Sequence, residues 1–472
     1  MAHRESAWML SAATVAVLLL ATGLRLGHLS SWSLNNDEIV EASWSSMSFS
    51  DMMKEVRRDA VHPPADYLVQ FIVGRIGPEW VRRLPSVIAG VGTVAAVMLL
   101  GRFWLSTSAG LAAGLLMAVA PTHVWYSQEV RPYALGLFWI CASLVALEID
   151  AISQRRVWAG AWCGLVFLAG STLYFAGMIA AAAGIFRIFI DRHDRLRWLW
   201  RRLPLIVLIW TILYAPWLTV VRHVATSPSP GPSEKLGKWW WMSRLQSLGV
   251  GNEIVIEPID LGSWTFWFCV AIGTIISARF RLLRVAAFMF IVGTAMEIAL
   301  LQIHPYYSSV RYLLPSWPAA FVLGGAAIAF LSRYRLARPI AVAALVLYVG
   351  YAAIKLPEYY RGQRSDWLSI ATYVHNRVKP GDRVIATNNW VIRNFGYYWS
   401  RLPAVEKVSF SRYWQLDEDL VGPAWIVTGQ CSPRDAVKPA GVMKRFPVTE
   451  LAEVRYLRPG QRLSMREEFC PE

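Results

Sequence analysis

Long apolar runs recur from the N-terminus to about residue 355, separated by short polar breaks. They predict membrane helices near 8–27, 84–104, 105–122, 132–149, 157–172, 174–190, 203–221, 263–279, 283–302, 311–331 and 339–355. Several approach the roughly 20 residues needed to cross a bilayer. The pieces at 105–122 and 157–172 are short and rich in Gly and Ala, so the count is about eleven. The first run lacks a clean small-residue cleavage site and is followed by more membranous chain, so it reads as a span rather than a cleaved signal peptide.

Two long polar segments interrupt the runs. Residues 28–83 carry amphipathic pieces. There Asn36 can cap a helix that places Val40, Trp44 and Met47 on one face, suited to lying on a membrane surface. Residues 222–262 hold SPSPGPS at 227–233, a turn-rich stretch, followed by three tryptophans at 239–241, a residue type that favours the lipid interface. From about 356 the pattern changes. Trp367, Leu368, Ile370, Ala371, Tyr373 and Val374 form a helical stripe, KPGD at 379–382 ends it, and 383–387, 404–410 and 423–428 read as strands. The expected fold class is therefore a polytopic α-helical membrane protein over 1–355, followed by a small extra-membrane α/β domain over 356–472.

Composition agrees: 55% of the 472 residues are hydrophobic and 17% charged, against about 25% charged in soluble domains. A formal net charge of +15 would suggest nucleic acid if the chain were soluble. Its distribution argues otherwise. With the N-terminus cytoplasmic, sixteen arginines and five acids fall on cytoplasmic ends and loops, net +11. Every second loop is basic, the positive-inside pattern, which exports the C-terminus and makes the bilayer, not nucleic acid, the partner. Loops 28–83, 123–131, 222–262 and 303–311 then share the outer side. Cys141, Cys163 and Cys269 lie in apolar runs, and Cys431 and Cys470 could bridge in an oxidising compartment, although spacing does not show it. No zinc-type cluster, P-loop, dinucleotide turn or internal repeat is evident.

Four outer clusters could carry chemistry, and each has a plain structural alternative. Asp37 and Glu38 can accept a proton or bind a cation, or simply sit in the first turn of a helix against its dipole. His62, in the Pro-rich stretch 59–67, can bind a phosphate or carboxylate, or hold a turn. Glu129 and Arg131, in the dense polar link 125–133, can act on substrate, or pair and cap the helix whose start Pro132 marks. Arg311 can hold a lipid phosphate or snorkel to headgroups. Glu297, seven residues before His304 and within an apolar helix, is a functional candidate by its setting, with a buried hydrogen bond to a neighbouring helix as the competing account.

The motifs HPPADYL at 62–68, RRLPSVIAG at 82–90, WYSQEVRPYAL at 125–135 and RYLLPSWPA at 311–319, with Asp37-Glu38 ahead of them, occur in an order that resembles glycosyltransferase family 39 of the GT-C superfamily. This family holds the protein O-mannosyltransferases and the aminoarabinose transferases of lipid A. The resemblance covers roughly residues 5–355. It implies transfer of a monosaccharide from a polyprenyl-phosphate donor to an acceptor hydroxyl on a glycan, lipid or protein at the outer leaflet of a bacterial inner membrane, usually with inversion. It maps the first-loop acid onto Asp37, with Glu38 beside it, and the second-loop acid onto Glu129. The usual Leu-Tyr after HPP is here Ala65-Asp66.

The hydroxyl needs a base, a role that falls to Asp37. The phosphate leaving group needs positive charge rather than a proton. Candidates are Arg311 and Arg131, with His62 and Tyr312 nearby, and then Lys54, Arg57 and Arg58, which suit lipid headgroups better. Tyr126, Gln128, Tyr133, His304, Tyr306 and Glu297 are expected to line the substrate cavity. The chemistry requires no metal, and a divalent cation between Asp37 and Glu129 is compatible with it. Two other classes fit some features: a flippase of lipid-linked sugars, which should show inverted repeats or broken helices, and a non-catalytic scaffold.

Overall fold

The computed structural model describes residues 2–153, 155, 157–190, parts of 208–222, 261–303, 310–361, 366–386, 389–405, 409–412, 420–421, 423–428, 442–446, 452–459 and 462–463. The described residues are mostly helical and fall into two compact units, Met1–Leu29 with Trp44–Tyr359, and Ser30–Ser43 with Tyr360–Glu472.

The first unit holds α1 (Ala2–Leu26), α3 (Phe49–Asp59), α4 (Ala65–Val73), α5 (Leu84–Trp104), α6 (Thr107–Val119), α7 (Pro121–Tyr126), α8 (Tyr133–Ser153), α9 (Val157–Thr172), α10 (Tyr174–Ile190), α11 (Leu261–Ser277), α12 (Leu283–Ile303), α13 (Trp317–Leu331) and α14 (Arg338–Tyr360). Ten of the eleven expected apolar pieces are helices at the expected places. The eleventh, 203–221, lies largely outside the described residues, and those described within it are helical. Among the described residues, four helices are long and apolar enough to cross a membrane, and six shorter apolar ones accompany them.

Small residues explain the short pieces. A Cβ on Gly325 of α13 would lie 2.5 Å from the Ala113 nitrogen of α6, and one on Gly101 of α5 would lie 2.7 Å from Gly110 Cα. These backbones touch directly, which only glycine allows. Around them Leu116, Met117, Leu144, Trp162, Phe266 and Phe321 form one buried core. Large apolar side chains on the opposite faces, such as Leu19, Ile88, Ile275 and Val346, are exposed as a lipid-facing surface requires. Arg187 and Glu148, one of the sixteen arginines and one of the five acids counted on the cytoplasmic edge, are inside: Arg187 meets Glu148 through Nε and Nη2 at 2.5 and 2.8 Å, and Trp104 Nε1 donates to the same carboxylate at 2.8 Å. The pair ties α5, α8 and α10 together, and because its charges cancel, the net loop charge is unchanged.

α3 is amphipathic. Ser48 accepts from the Asp51 N–H at 3.2 Å, Ala60 ends the helix in the left-handed region at φ 56°, and Met52 and Val56 are buried. Lys54, which pairs with Asp51 at 2.9 Å, and Arg57 and Arg58 are exposed.

The second unit contains α2 up to Ser43 (the whole helix is Asn36–Ser45), α15 (Trp367–His375) and α16 (Asn389–Trp399). It also holds strands β1 (Arg383–Ala386), β2 (Ser409–Arg412), β3 (Leu420–Val421), β4 (Ala424–Thr428), β5 (Val442–Phe446), β6 (Ala452–Leu457) and β7 (Arg462–Leu463). Five strands form a sheet in the order β2-β1-β4-β6-β5. β1 runs parallel to β2 and β4, aligning Val384 with Phe410 and Trp425, while β6 is antiparallel to both β4 and β5. β3 and β7 form a separate pair. The helix stripe and the strands at 383–387 and 423–428 match α15, β1 and β4, whereas β2 lies later than 404–410 and Leu368 is exposed. Cys431 and Cys470 lie outside the described residues.

The expected surface-helix face at 36–47 needs correction. Val40 and Trp44 are half-buried and Met47 is exposed, while Ile39 and Ala42 are buried together with Glu38 and Glu41. The helix places two carboxylates, not only apolar groups, on its buried side.

Candidate active site

The link between α6 and α8 is built from buried polar residues. Arg25, near the end of α1, is fully buried and every guanidinium nitrogen has an acceptor. Nη1 donates to the Ala21 and Ala118 carbonyls, Nη2 to the Met117 carbonyl and His123 Nδ1, and Nε to Ser127 Oγ. Because arginine only donates, His123 Nδ1 accepts and the imidazole is neutral. Burial, and then the Arg25 charge, hold its pKa well below the ordinary histidine value. Gln128 donates through Nε2 to the Arg25 and Gly27 carbonyls at 2.8 and 2.7 Å, and its Oε1 accepts from Tyr359 Oη. Gln128 thus satisfies the orphan carbonyls that end α1, the work of a C-cap. Its side chain is spent on scaffold contacts, which departs from its expected place in a substrate cavity.

Two motifs far apart in sequence meet beside this scaffold. Arg131 Nη2 lies 2.7 Å from His62 Nε2. Both residues are buried. The imidazole nitrogen must again be the acceptor, which puts the His62 proton on Nδ1. Tyr133 packs edge-on to His62 with ring centroids 5.8 Å apart, Tyr126 packs on Tyr133 at 5.0 Å, and the Arg131 guanidinium lies 5.9 Å from the Tyr133 ring. Glu129 is buried too. Its carboxylate accepts from Trp125 Nε1 at 3.2 Å, and its carbonyl accepts from Ser86 Oγ at 2.6 Å, which ties the link to the start of α5. The RRLPSV motif has a scaffold role as well. Arg82 donates to Ser45 Oγ and Ser46 Oγ, and Arg83 to the Leu29 carbonyl.

Asp37 and Glu38 belong to the second unit. The cap of α2 is Asn35 rather than Asn36. Asn35 Oδ1 accepts from the Glu38 N–H at 2.9 Å, and Glu38 Oε2 accepts from the Asn35 N–H at 3.0 Å. This reciprocal box engages Glu38 Oε2 with backbone, the geometry of a capping residue. Asp37 is half-buried in the same first turn.

The remaining candidates separate. Arg311 and Tyr312 sit half-buried in a 3-10 turn, Val310–Leu313, and Tyr312 meets Phe175 edge-on. His304 and Tyr306 lie outside the described residues. Lys54, Arg57 and Arg58 occupy the exposed face of α3 and are not gathered with Arg131. Glu297 is fully buried, and its oxygens accept from the Ser316 N–H at 3.0 Å and Ser316 Oγ at 2.7 Å. It therefore fastens α12 to the start of α13, the competing account given above. Among the described residues no group of three His, Cys, Asp or Glu is placed to hold a metal ion. Arg25, His123 and Tyr359 were missed from sequence. Arg25 carried a signal, as an ionisable group ending an apolar helix.

Residues 61–219 match the family model of dolichyl-phosphate-mannose-protein mannosyltransferases. No curated protein sequence matches the chain. Among solved structures, ArnT from Cupriavidus metallidurans in the apo state is 15% identical, with a TM-score of 0.58 over 96% of this chain and 98% of that one. The same ArnT bound to undecaprenyl phosphate gives 14% identity and a TM-score of 0.55, over 95% of this chain and 98% of that one. The Archaeoglobus fulgidus oligosaccharyltransferase AglB, in complex with an inhibitory peptide and a dolichol-phosphate, is 11% identical with a TM-score of 0.53, over 84% of this chain and 64% of that one. Residues 61–219 thus match this family model, and the chain as a whole shares the fold of ArnT and of the oligosaccharyltransferase AglB.

Proposed function

We propose that this chain transfers a monosaccharide, hexose or pentose, from a polyprenyl-phosphate donor to an acceptor hydroxyl at the outer leaflet, with inversion at the anomeric carbon. The observation that carries this is the buried contact between His62 and Arg131, which joins the two most specific motifs around one guanidinium. Similar folds bind undecaprenyl phosphate and a dolichol-phosphate, which supports a lipid-phosphate donor.

The chemistry follows from what each group can do. Asp37 takes the proton of the acceptor hydroxyl, and the oxygen attacks the anomeric carbon as the bond to phosphate breaks. A carboxylate base of this kind is worth about 10²–10⁴-fold. The polyprenyl phosphate leaves with the bonding electrons, and Arg131, followed by Arg311, supplies the positive charge it needs. Glu129 orients the acceptor or steadies an arginine. In this scheme His62 holds Arg131 instead of binding phosphate through Nε2. The N-terminus is cytoplasmic, and the second unit lies outside the bacterial inner membrane. The test is transfer of label from undecaprenyl-phosphate-linked mannose, glucose, galactose or aminoarabinose by purified protein in detergent. Transfer needs no second compartment, whereas transport does, so uptake into vesicles without transfer would favour a flippase.

A further inference from the structure

The segment that carries Asp37 is held by the C-terminal part of the chain. Residues 30–43 form one compact unit with 360–472, although more than 300 residues of sequence separate them. Three contacts among the described residues take part in the join. The buried Leu34 N–H donates to Tyr398 Oη at 2.6 Å. The buried Trp367 N–H donates to Ser33 Oγ at 3.0 Å. Trp32 stacks on Tyr360 with ring centroids 6.2 Å apart and an interplanar angle of 11°.

Each bond has a local reason. Trp367 is the first residue of α15, and its N–H is one of the orphan donors at a helix start. Asp366 caps the Ser369 N–H, and Ser33 takes the one at Trp367. Leu34 immediately precedes Asn35, the cap of α2, so its N–H cannot be satisfied within α2. Tyr398 supplies the acceptor from the face of α16 that also buries Val391, Asn394 and Phe395. Asp37 stands three residues beyond the Tyr398 bond and two beyond the cap, with little chain between anchor and carboxylate.

We infer that the C-terminal unit positions the catalytic carboxylate: Tyr398 and Ser33 are positioning residues that fix the entry into α2 and so the place of Asp37. This rests on the assignment of Asp37 as base. It gives the C-terminal unit a part in turnover. A carboxylate displaced by about 1 Å can lose about 10²-fold in rate without loss of substrate binding.

The test uses the full-length protein in detergent. Tyr398→Phe keeps the ring and removes the acceptor, Ser33→Ala removes the hydroxyl, and Ser33→Thr keeps it. Hydrogen exchange of the peptide covering 33–38 is expected to speed up about tenfold or more in Tyr398→Phe and Ser33→Ala. Ser33→Thr should keep the wild-type rate, and the peptides of α5 and α8 should be unchanged. On whichever of the four undecaprenyl-phosphate sugars the wild type uses, kcat should fall about 10- to 100-fold with KM nearly constant. Exchange at 33–38 that stays at the wild-type rate in both variants overturns the proposal, as does wild-type kcat in Tyr398→Phe. An inactive Asp37→Asn beside a fully active Tyr398→Phe would defeat the positioning role alone. An active, folded Asp37→Asn would defeat the base assignment beneath it. If Tyr398→Phe does not fold, the Ser33→Ala and Ser33→Thr pair decides by the same two measurements.

Discussion

At the residue scale, some groups of the polar motifs hold backbone and scaffold, and others meet one another inside the fold. Gln128 and Ser127 hold α1 and Arg25, and Glu38 closes a capping box. His62 and Arg131 meet instead around a guanidinium. Because His62 Nε2 acts only as an acceptor, a glutamine at 62 can keep the contact through Oε1, whereas alanine cannot. His62→Gln is therefore expected to retain most transfer activity. His62→Ala should lose about tenfold or more in kcat, measured with the donor the wild type uses. His123 makes a second prediction. Its pKa is held low in the fold, so the unfolded chain binds the extra proton as pH falls below the ordinary value of about 6.5. Stability contributed by neutral His123 is present above that pH and is lost on acidification towards the lower folded-state value. Melting temperatures from pH 7 to 5 should fall more steeply in wild type than in His123→Gln. The sequence showed which motifs are dense in polar groups but not which members face inward. A helix junction that must satisfy backbone carbonyls and one that must bind a phosphate draw on the same residue types.

At the element scale, the helices were legible because an apolar run of membrane length has few other solutions. Their packing was not. The Gly-rich pieces looked merely short, and the reason lies in partners elsewhere in the chain. Gly325 faces the Ala113 nitrogen of α6, so Gly325→Val must push α6 and α13 apart. Overpacking of this kind costs about 1–3 kcal/mol or more, readable as a lower melting temperature in detergent. The Glu148–Arg187 pair was misplaced for a similar reason. Near a helix end, a charge looks topological until its partner is known. Removing one side leaves the other buried and uncompensated, so Glu148→Ala should destabilise by about 3–5 kcal/mol, with Trp104→Phe costing less. The amphipathic stripe at 36–47 misled because it counted Val40, Trp44 and Met47 and ignored Glu38 and Glu41 as inward residues. A helix whose buried side carries two carboxylates reads, from sequence, as turned the other way.

At the scale of the whole molecule, the net charge of +15 is read as a matter of topology. The expected orientation puts the arginine-rich loops on one side and the motifs on the other, and the buried Arg187–Glu148 pair cancels without altering the balance. The expected orientation is testable with a cysteine at Ser369, an exposed residue of α15, in a background where Cys431 and Cys470 are serine. A membrane-impermeant maleimide should label it in spheroplasts without lysis, and labelling only after lysis would reverse the topology. The GT-C fold was legible through ordered motifs, whereas the grouping of residues 30–43 with the C-terminal unit was not, because nothing local in either stretch names the other. The central claim is sugar transfer with Asp37 as base. Its most direct test is label transfer from undecaprenyl-phosphate sugars by purified wild type and folded Asp37→Asn, side by side in detergent. Wild type should transfer label, and Asp37→Asn should be slower by about 10²-fold or more. Equal rates in the two proteins would contradict the account.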